Sequence, residues 1–188
     1  NRAIASWWLD NIALQQMSGF NSAAGLLPTG SSGTAPTALH HHATGTGHLF
    51  ARSSWDKDAM WLAVVAGPYN ESHAHQEHGG FTLFARDWLA GTEKIWSHSG
   101  IQQGTETNNV LRFERSDPAA RQCMAPQGDR VVHQCESQGS RATLRVQDAG
   151  GGKLAIETDL TGVYGANPAV KSWQRRFDFA DRRLRVTD

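Results

Sequence analysis

Cysteine is scarce. Cys123 and Cys135 are the only two in 188 residues, too few for a disulfide framework. A turn-forming segment with Pro126 and Gly128 separates them and would let them face each other across a hairpin. A bridge and a pair of buried thiols both satisfy that spacing, so the pair weighs only slightly for an oxidising compartment. An excess of either charge is also missing, since eighteen Lys and Arg balance eighteen Asp and Glu. That balance excludes the global positive field that gathers nucleic acid or an anionic membrane surface. A polyanion would have to be held at a local site. No stretch reaches the roughly 18 unbroken apolar residues of a membrane span, and the N-terminal residues lack the order of a signal peptide.

A helical repeat of apolar residues opens the chain: Ile4, Trp8 and Ile12 share one face, widened by Trp7 and Leu9, which predicts a helix near Ile4 to Met17. Residues 19–47 carry Gly, Ser, Thr, Pro and Ala with few large apolar groups and read as a linker or long loop. His40-His41-His42 falls in this stretch and is expected to be exposed loop. The chain is therefore divided into 1–47, a helix with its Gly- and Ser-rich linker, and 48–188. In the second part, runs of strand length follow one another: Ala59 to Ala66, Phe81 to Ala85, Val110 to Phe113, Arg130 to His133, Ala142 to Val146, Leu154 to Leu160, Trp173 to Phe179 and Leu184 to Val186. Gly150-Gly151-Gly152 and Ala180-Asp181 mark hairpin turns. Alternation in Thr143-Leu144-Arg145-Val146 and Arg183-Leu184-Arg185-Val186 gives strands with one buried face. The expected fold is mainly β, an antiparallel sandwich.

The densest set of reactive side chains is Ser72-His73-Ala74-His75-Gln76-Glu77-His78-Gly79-Gly80. In an extended backbone His73, His75 and Glu77 project to one side. Two imidazoles and a carboxylate so placed suit a divalent metal, or one metal ligand beside one general base; a plain exposed loop is the competing reading. Gly79 and Gly80 allow close approach of backbone or ligand.

The ordered set Phe50-Ala51-Arg52-Ser53-Ser54-Trp55, His73-Ala74-His75-Gln76-Glu77, Gly80-Phe81-Thr82-Leu83, Trp88-Leu89-Ala90, Ser97-His98-Ser99-Gly100, Asn109-Val110-Leu111-Arg112, Asp159-Leu160-Thr161-Gly162-Val163-Tyr164 and Arg175-Arg176 resembles the heparinase II/III family of polysaccharide lyases over most of residues 48–188. The resemblance implies a supersandwich-like β domain that follows a helical toroid, the helix at Ile4 to Met17 being the end of that toroid. It implies β-elimination on a uronic-acid polysaccharide in a periplasmic or secreted enzyme. His73 would be the catalytic histidine and His75 a metal ligand. His98, standing where relatives often carry an aspartate, would be the second ligand. Relatives show a histidine where this chain has Asn108; His133, the remaining histidine of the sandwich, could complete the site as third ligand, a half-buried strand histidine being the competing reading. Imidazoles favour zinc. The family's principal tyrosine and the Asn or Arg that neutralises the substrate carboxylate would lie on the toroid, outside this chain. Arg52, Glu77, Asn109 and Arg112 are the candidate substrate contacts; Arg52 and Arg112 could pair bidentately with a uronate or sulfate, structural ion pairs being the competing reading. Two other readings stand beside it: a noncatalytic carbohydrate-binding sandwich, and a zinc-dependent hydrolase using His73, His75 and Glu77.

Overall fold

The computed structural model describes residues 3, 4, 7, 33–67, 76–91, 105, 108–113, 141–164 and 170–188. They fall into two compact units, 1–39 and 40–188. In the first, Ala3, Ile4 and Trp7 are helical, and the Thr34 amide donates to the Ala3 carbonyl. The rest of the expected Ile4–Met17 helix lies outside the described residues.

The second unit is a sandwich of two antiparallel sheets. The first sheet runs in sequence order through β1 (His40–Ala43), β2 (His48–Arg52), β3 (Trp61–Val65), β4 (Phe81–Ala85) and β5 (Asp87–Ala90). The second runs through β6 (Thr143–Asp148), β7 (Leu154–Asp159), β8 (Gln174–Ala180) and β9 (Arg183–Thr187). Within each sheet every described pairing joins strands that are neighbours in the sequence, a meander that alternation and tight turns are sufficient to encode.

Period-two alternation decides which side chains meet between the sheets. Leu49 and Ala51 of β2 and Leu62 and Val64 of β3 point inward against Leu154, Ile156, Phe177 and Phe179 of the second sheet. Phe81 meets Phe177 edge-on, ring centroids 5.6 Å apart. Each such fully buried large side chain contributes roughly 1.5–3 kcal/mol relative to exposure. A second cluster gathers Leu160, Val163, Tyr164, Val170 and Trp173 with Phe113 packed on it. It is closed by the Tyr164 hydroxyl donating to the Leu111 carbonyl.

Three parts of the sequence reading are corrected. His40-His41-His42 is not a loop: it forms most of β1 and pairs with β2 in the register His41 to Phe50. The segment Val110 to Phe113 forms no strand and has a single bridge residue at Phe113; the Leu111 carbonyl accepts from the Tyr164 hydroxyl rather than from a neighbouring strand. The short strand β5 was not expected. It exists because Ala85 and Asp87 pair directly around Arg86, which takes φ 65°. The expected strand Arg130 to His133 and both cysteines lie outside the described residues.

Candidate functional site

The site is built around the turn that follows the histidine-rich stretch. Glu77 to Gly80 closes on itself, the Gly80 amide donating to the Glu77 carbonyl at 2.7 Å. Gly79 takes φ 84° at the third position, a place a turn of this kind reserves for glycine. A Cβ there would lie 2.5 Å from Leu160 Cδ1 and 3.2 Å from the Trp173 ring, so both conformation and space demand glycine. The turn is tied to the end of β3, with the Gly79 amide donating to Val65 O at 2.7 Å and the Val65 amide to Gly80 O at 3.1 Å. The extended form that would align His73, His75 and Glu77 therefore does not extend past Glu77.

Three further clamps hold this turn. Gln76 is buried, and its Oε1 accepts from the amide and hydroxyl of Thr105 at 3.0 and 3.2 Å. His78 is buried as well and meets the Gly67 carbonyl through Nε2 at 2.8 Å. A carbonyl only accepts, so Nε2 carries the proton. Burial, reinforced by the charge of His48 and opposed by the Gly67 bond, pushes the His78 imidazole down to about 4. The ring is neutral at physiological pH and holds the loop as a hydrogen-bonding group rather than as a cation.

The third clamp is Arg175, whose side chain is only 6% exposed. Its Nη1 donates to the carbonyls of Gly79 at 2.9 Å and Asn109 at 2.8 Å. Its Nε and Nη2 meet the two carboxylate oxygens of Asp188 at 2.7 and 2.8 Å. The Trp173 indole also donates to Asp188, at 2.8 Å. Partial burial alone would raise the Asp188 carboxyl, but the bonds from Arg175 and Trp173 together with the guanidinium charge outweigh it and leave it below the ordinary carboxylate range. One guanidinium thus joins β8, the end of β9, the histidine-side turn and the 108–109 segment.

The sequence-predicted residues fall into three groups. His73, His75, His98 and His133 lie outside the described residues. Glu77 and Asn109 come together at the turn. Glu77 Oε2 is buried without a hydrogen-bond partner among the described residues. The Asn109 carboxamide accepts from the Phe81 amide at 3.0 Å and donates to Phe81 O and Gly91 O at 2.7 and 3.3 Å. That side chain is committed to holding β4 in place. Arg52 and Arg112 are elsewhere: Arg52 ends β2, half-buried, with its guanidinium 4.8 Å over the Trp55 ring, and Arg112 is exposed. Among the described residues no group of three or more His, Cys, Asp or Glu side chains converges to hold a metal ion, and no helix is long and apolar enough to cross a membrane.

Sequence reasoning missed the clamps. Gln76 and His78 were passed over as neighbours of the histidine pair. Arg175 was legible by parity, since Trp173, Phe177 and Phe179 fix the odd positions of β8 as inward and put a charge among them.

The architecture and distant sequence similarity together point to the heparinase II/III superfamily fold. The crystal structure of the heparan sulfate lyase HepC from Pedobacter heparinus aligns with 99% of this chain and 27% of its own length, with TM-score 0.55 and 18% identity. A heparinase III gene product with methylated lysines aligns over 81% of this chain and 22% of its own, with TM-score 0.51 and 17% identity. In sequence, 57 residues, 30% of this chain, are 37% identical to a heparin-sulfate lyase of Pedobacter heparinus. The match covers 9% of that protein, so the chain spans only a minor part of each relative. No family model matches the chain.

Proposed function

We propose that this chain is the sandwich part of a periplasmic or secreted polysaccharide lyase that cleaves a uronic-acid polysaccharide by β-elimination, with a helical toroid domain of the same protein supplying the other wall of the site. The observation that carries the proposal is the 37% identity to a heparin-sulfate lyase over 57 residues, joined to a fold that puts the histidine-side turn on a rigid mount. In the reaction a base takes the proton from C5 of the uronate, and the C4–O bond breaks as its electrons leave with the departing sugar oxygen. A C4=C5 double bond forms, and an acid protonates the leaving oxygen. His73 is assigned the proton transfer.

His75, His98 and His133 are assigned to a zinc ion. Three imidazoles suit zinc and would leave it a structural cross-link of the loops around the sandwich. A metal-bound imidazole has its lone pair committed, which is why the base is assigned to His73 and not to His75. Glu77 supports the reading in a different way. A buried carboxylate oxygen lacking a donor costs about 1–3 kcal/mol or more, and a substrate hydroxyl or an imidazole of the neighbouring stretch would satisfy it. Arg52 and Arg112 are assigned to anionic groups of the substrate, while Asn109 acts through the position of β4.

His73→Ala in the full-length enzyme is expected to lower turnover about 10²–10⁴-fold with unchanged folding. Turnover is read as the near-ultraviolet absorbance of the unsaturated uronate. His75→Ala is expected to lower bound zinc, stability and activity together. A fully active His73→Ala enzyme, or products without the unsaturated uronate, would overturn the assignment in favour of a binding module or a hydrolase.

A further inference from the structure

The outer face of the β1–β5 sheet carries a row of aromatic side chains that the catalytic reading does not use. Because Leu62 and Val64 point into the core, Trp61 points out. The register Arg52 to Trp61, Trp61 to Phe84 and Phe84 to Trp88 places all four side chains on that outer face, one per strand, in a line across β2, β3, β4 and β5. The rings touch: Trp61 and Phe84 centroids are 5.6 Å apart with their planes inclined by 30°, and Trp88 stands edge-on at 5.2 Å from Trp61 and 5.3 Å from Phe84. Trp88 is 60% exposed. Trp88 is directly paired with Phe84 and so shares its outer face, and the register shifts only beyond that pair, where Leu83 pairs with Ala90 rather than with Leu89.

We propose that this row is a binding platform for a uronate-bearing glycan chain, with the pyranose C–H faces stacked on Trp61, Phe84 and Trp88 and a carboxylate or sulfate taken by Arg52. Three features favour a glycan over a second protein. Strands are spaced by about 4.8 Å, close to the advance per sugar unit of an extended chain, so successive rings meet successive residues. The exposed apolar area is small: beside the row, Phe50 of β2 is the other large apolar side chain exposed on this face among the described residues. A large aromatic contributes about 150–250 Å² when fully buried, and two of these rings are already half-buried, well short of the ~800 Å² per partner of a stable protein interface. The Arg52 guanidinium has no carboxylate partner among the described residues; its Nε donates to Ser54 O at 3.3 Å and its plane stacks on Trp55. A half-buried fork without an anion is complementary to an acidic sugar.

Trp61 stands at the start of β3, whereas the histidine-side turn is bonded to Val65 at its end. The four-residue offset is about 13 Å along the strand, so the platform takes sugar units beyond those at the bond being cut. It rests on the lyase reading for the substrate class but, apart from Arg52, shares none of its residues.

The chain is titrated with oligogalacturonate, heparan sulfate oligosaccharides and neutral cellohexaose, followed by tryptophan fluorescence and calorimetry, with sedimentation at the same concentrations. Expected are saturable binding of both acidic probes and weaker binding of cellohexaose. Trp88→Ala should weaken the acidic probes about fivefold, and Arg52→Gln about tenfold, with unchanged circular dichroism. Arg52→Lys should recover part of the loss, since it keeps the charge without the fork. No binding by the parent chain, variants that bind as the parent does, or cellohexaose equal to the acidic probes would each overturn the platform. Self-association abolished by Trp88→Ala would do the same, by showing a protein interface. An inert His73→Ala change in the full-length enzyme beside intact platform binding would remove the lyase reading alone.

Discussion

At the scale of the residue, burial decides chemistry more than residue type does. His78 is 3% exposed and stays neutral to about pH 4. The unfolded chain protonates His78 near its ordinary value of 6.5 and so binds protons that the folded chain refuses. Stability is therefore level above about pH 6.5 and falls as pH drops from there toward 4. At about 1.4 kcal/mol per unit, the loss is on the order of 3 kcal/mol. His42, lowered by burial and then by His41 and His40, adds a smaller slope of the same sign. Urea unfolding across that range should show the decline, and His78→Gln should flatten most of it. A parallel decline in His78→Gln would show that another group is responsible.

At the scale of the element, turns set the strand register. The β8–β9 hairpin has a two-residue loop in which Asp181 and Arg182 take φ 50° and 58°, with Ala180 paired to Arg183. This is the turn whose twist matches that of the strands, and it requires positive φ at both positions. Arg182→Val and Arg182→Gly both remove the bond from Arg182 to the Asp58 carbonyl, so their difference isolates the backbone. Valine should be less stable than glycine by about 1–2 kcal/mol; equal stabilities would mean the loop adopts another turn. The β6–β7 loop solves the same problem with three glycines, Gly150, Gly151 and Gly152, all at positive φ.

At the scale of the whole molecule, the two sheets are joined by their common core and, at one end, by Arg175. The core is nonspecific in direction and tolerates volume-conserving change. The Arg175 node is directional, because each bond goes to a named carbonyl or carboxylate on a different segment. Asp188→Ala leaves Nε and Nη2 of a buried guanidinium without their acceptors, and is expected to cost about 3 kcal/mol. Native-state hydrogen exchange should then show the Gly79 and Gly80 amides losing more protection than amides at the centre of β2 and β3. A loss spread evenly over both sheets would mean that Arg175 only stabilises the fold and does not position the turn.

The sandwich was legible because its cause is local. Alternation at Leu154, Ile156 and Thr158 or at Arg183 to Val186 sets one face, and the Gly150 to Gly152 and Asp181 turns set pairing, so neighbours in sequence are neighbours in the sheet. Strand β1 was hidden because three histidines carry no hydrophobic period, and its pairing with β2 comes from a partner and not from its own composition. Sequence alone also put Glu77, Gly79 and Gly80 beside the histidine pair and marked Gly79 as a place of close approach. Tertiary structure decided what lies across the chain from them: Thr105 on Gln76, Gly67 on His78, Phe81 on Asn109 and Arg175 on Gly79. Those bonds join residues 11 to 96 positions apart, and no local pattern encodes the partner of a single polar group at such separations. The aromatic row is of the same kind. Each ring is an ordinary strand residue in its own segment, and only the register of four strands brings Arg52, Trp61, Phe84 and Trp88 into one line.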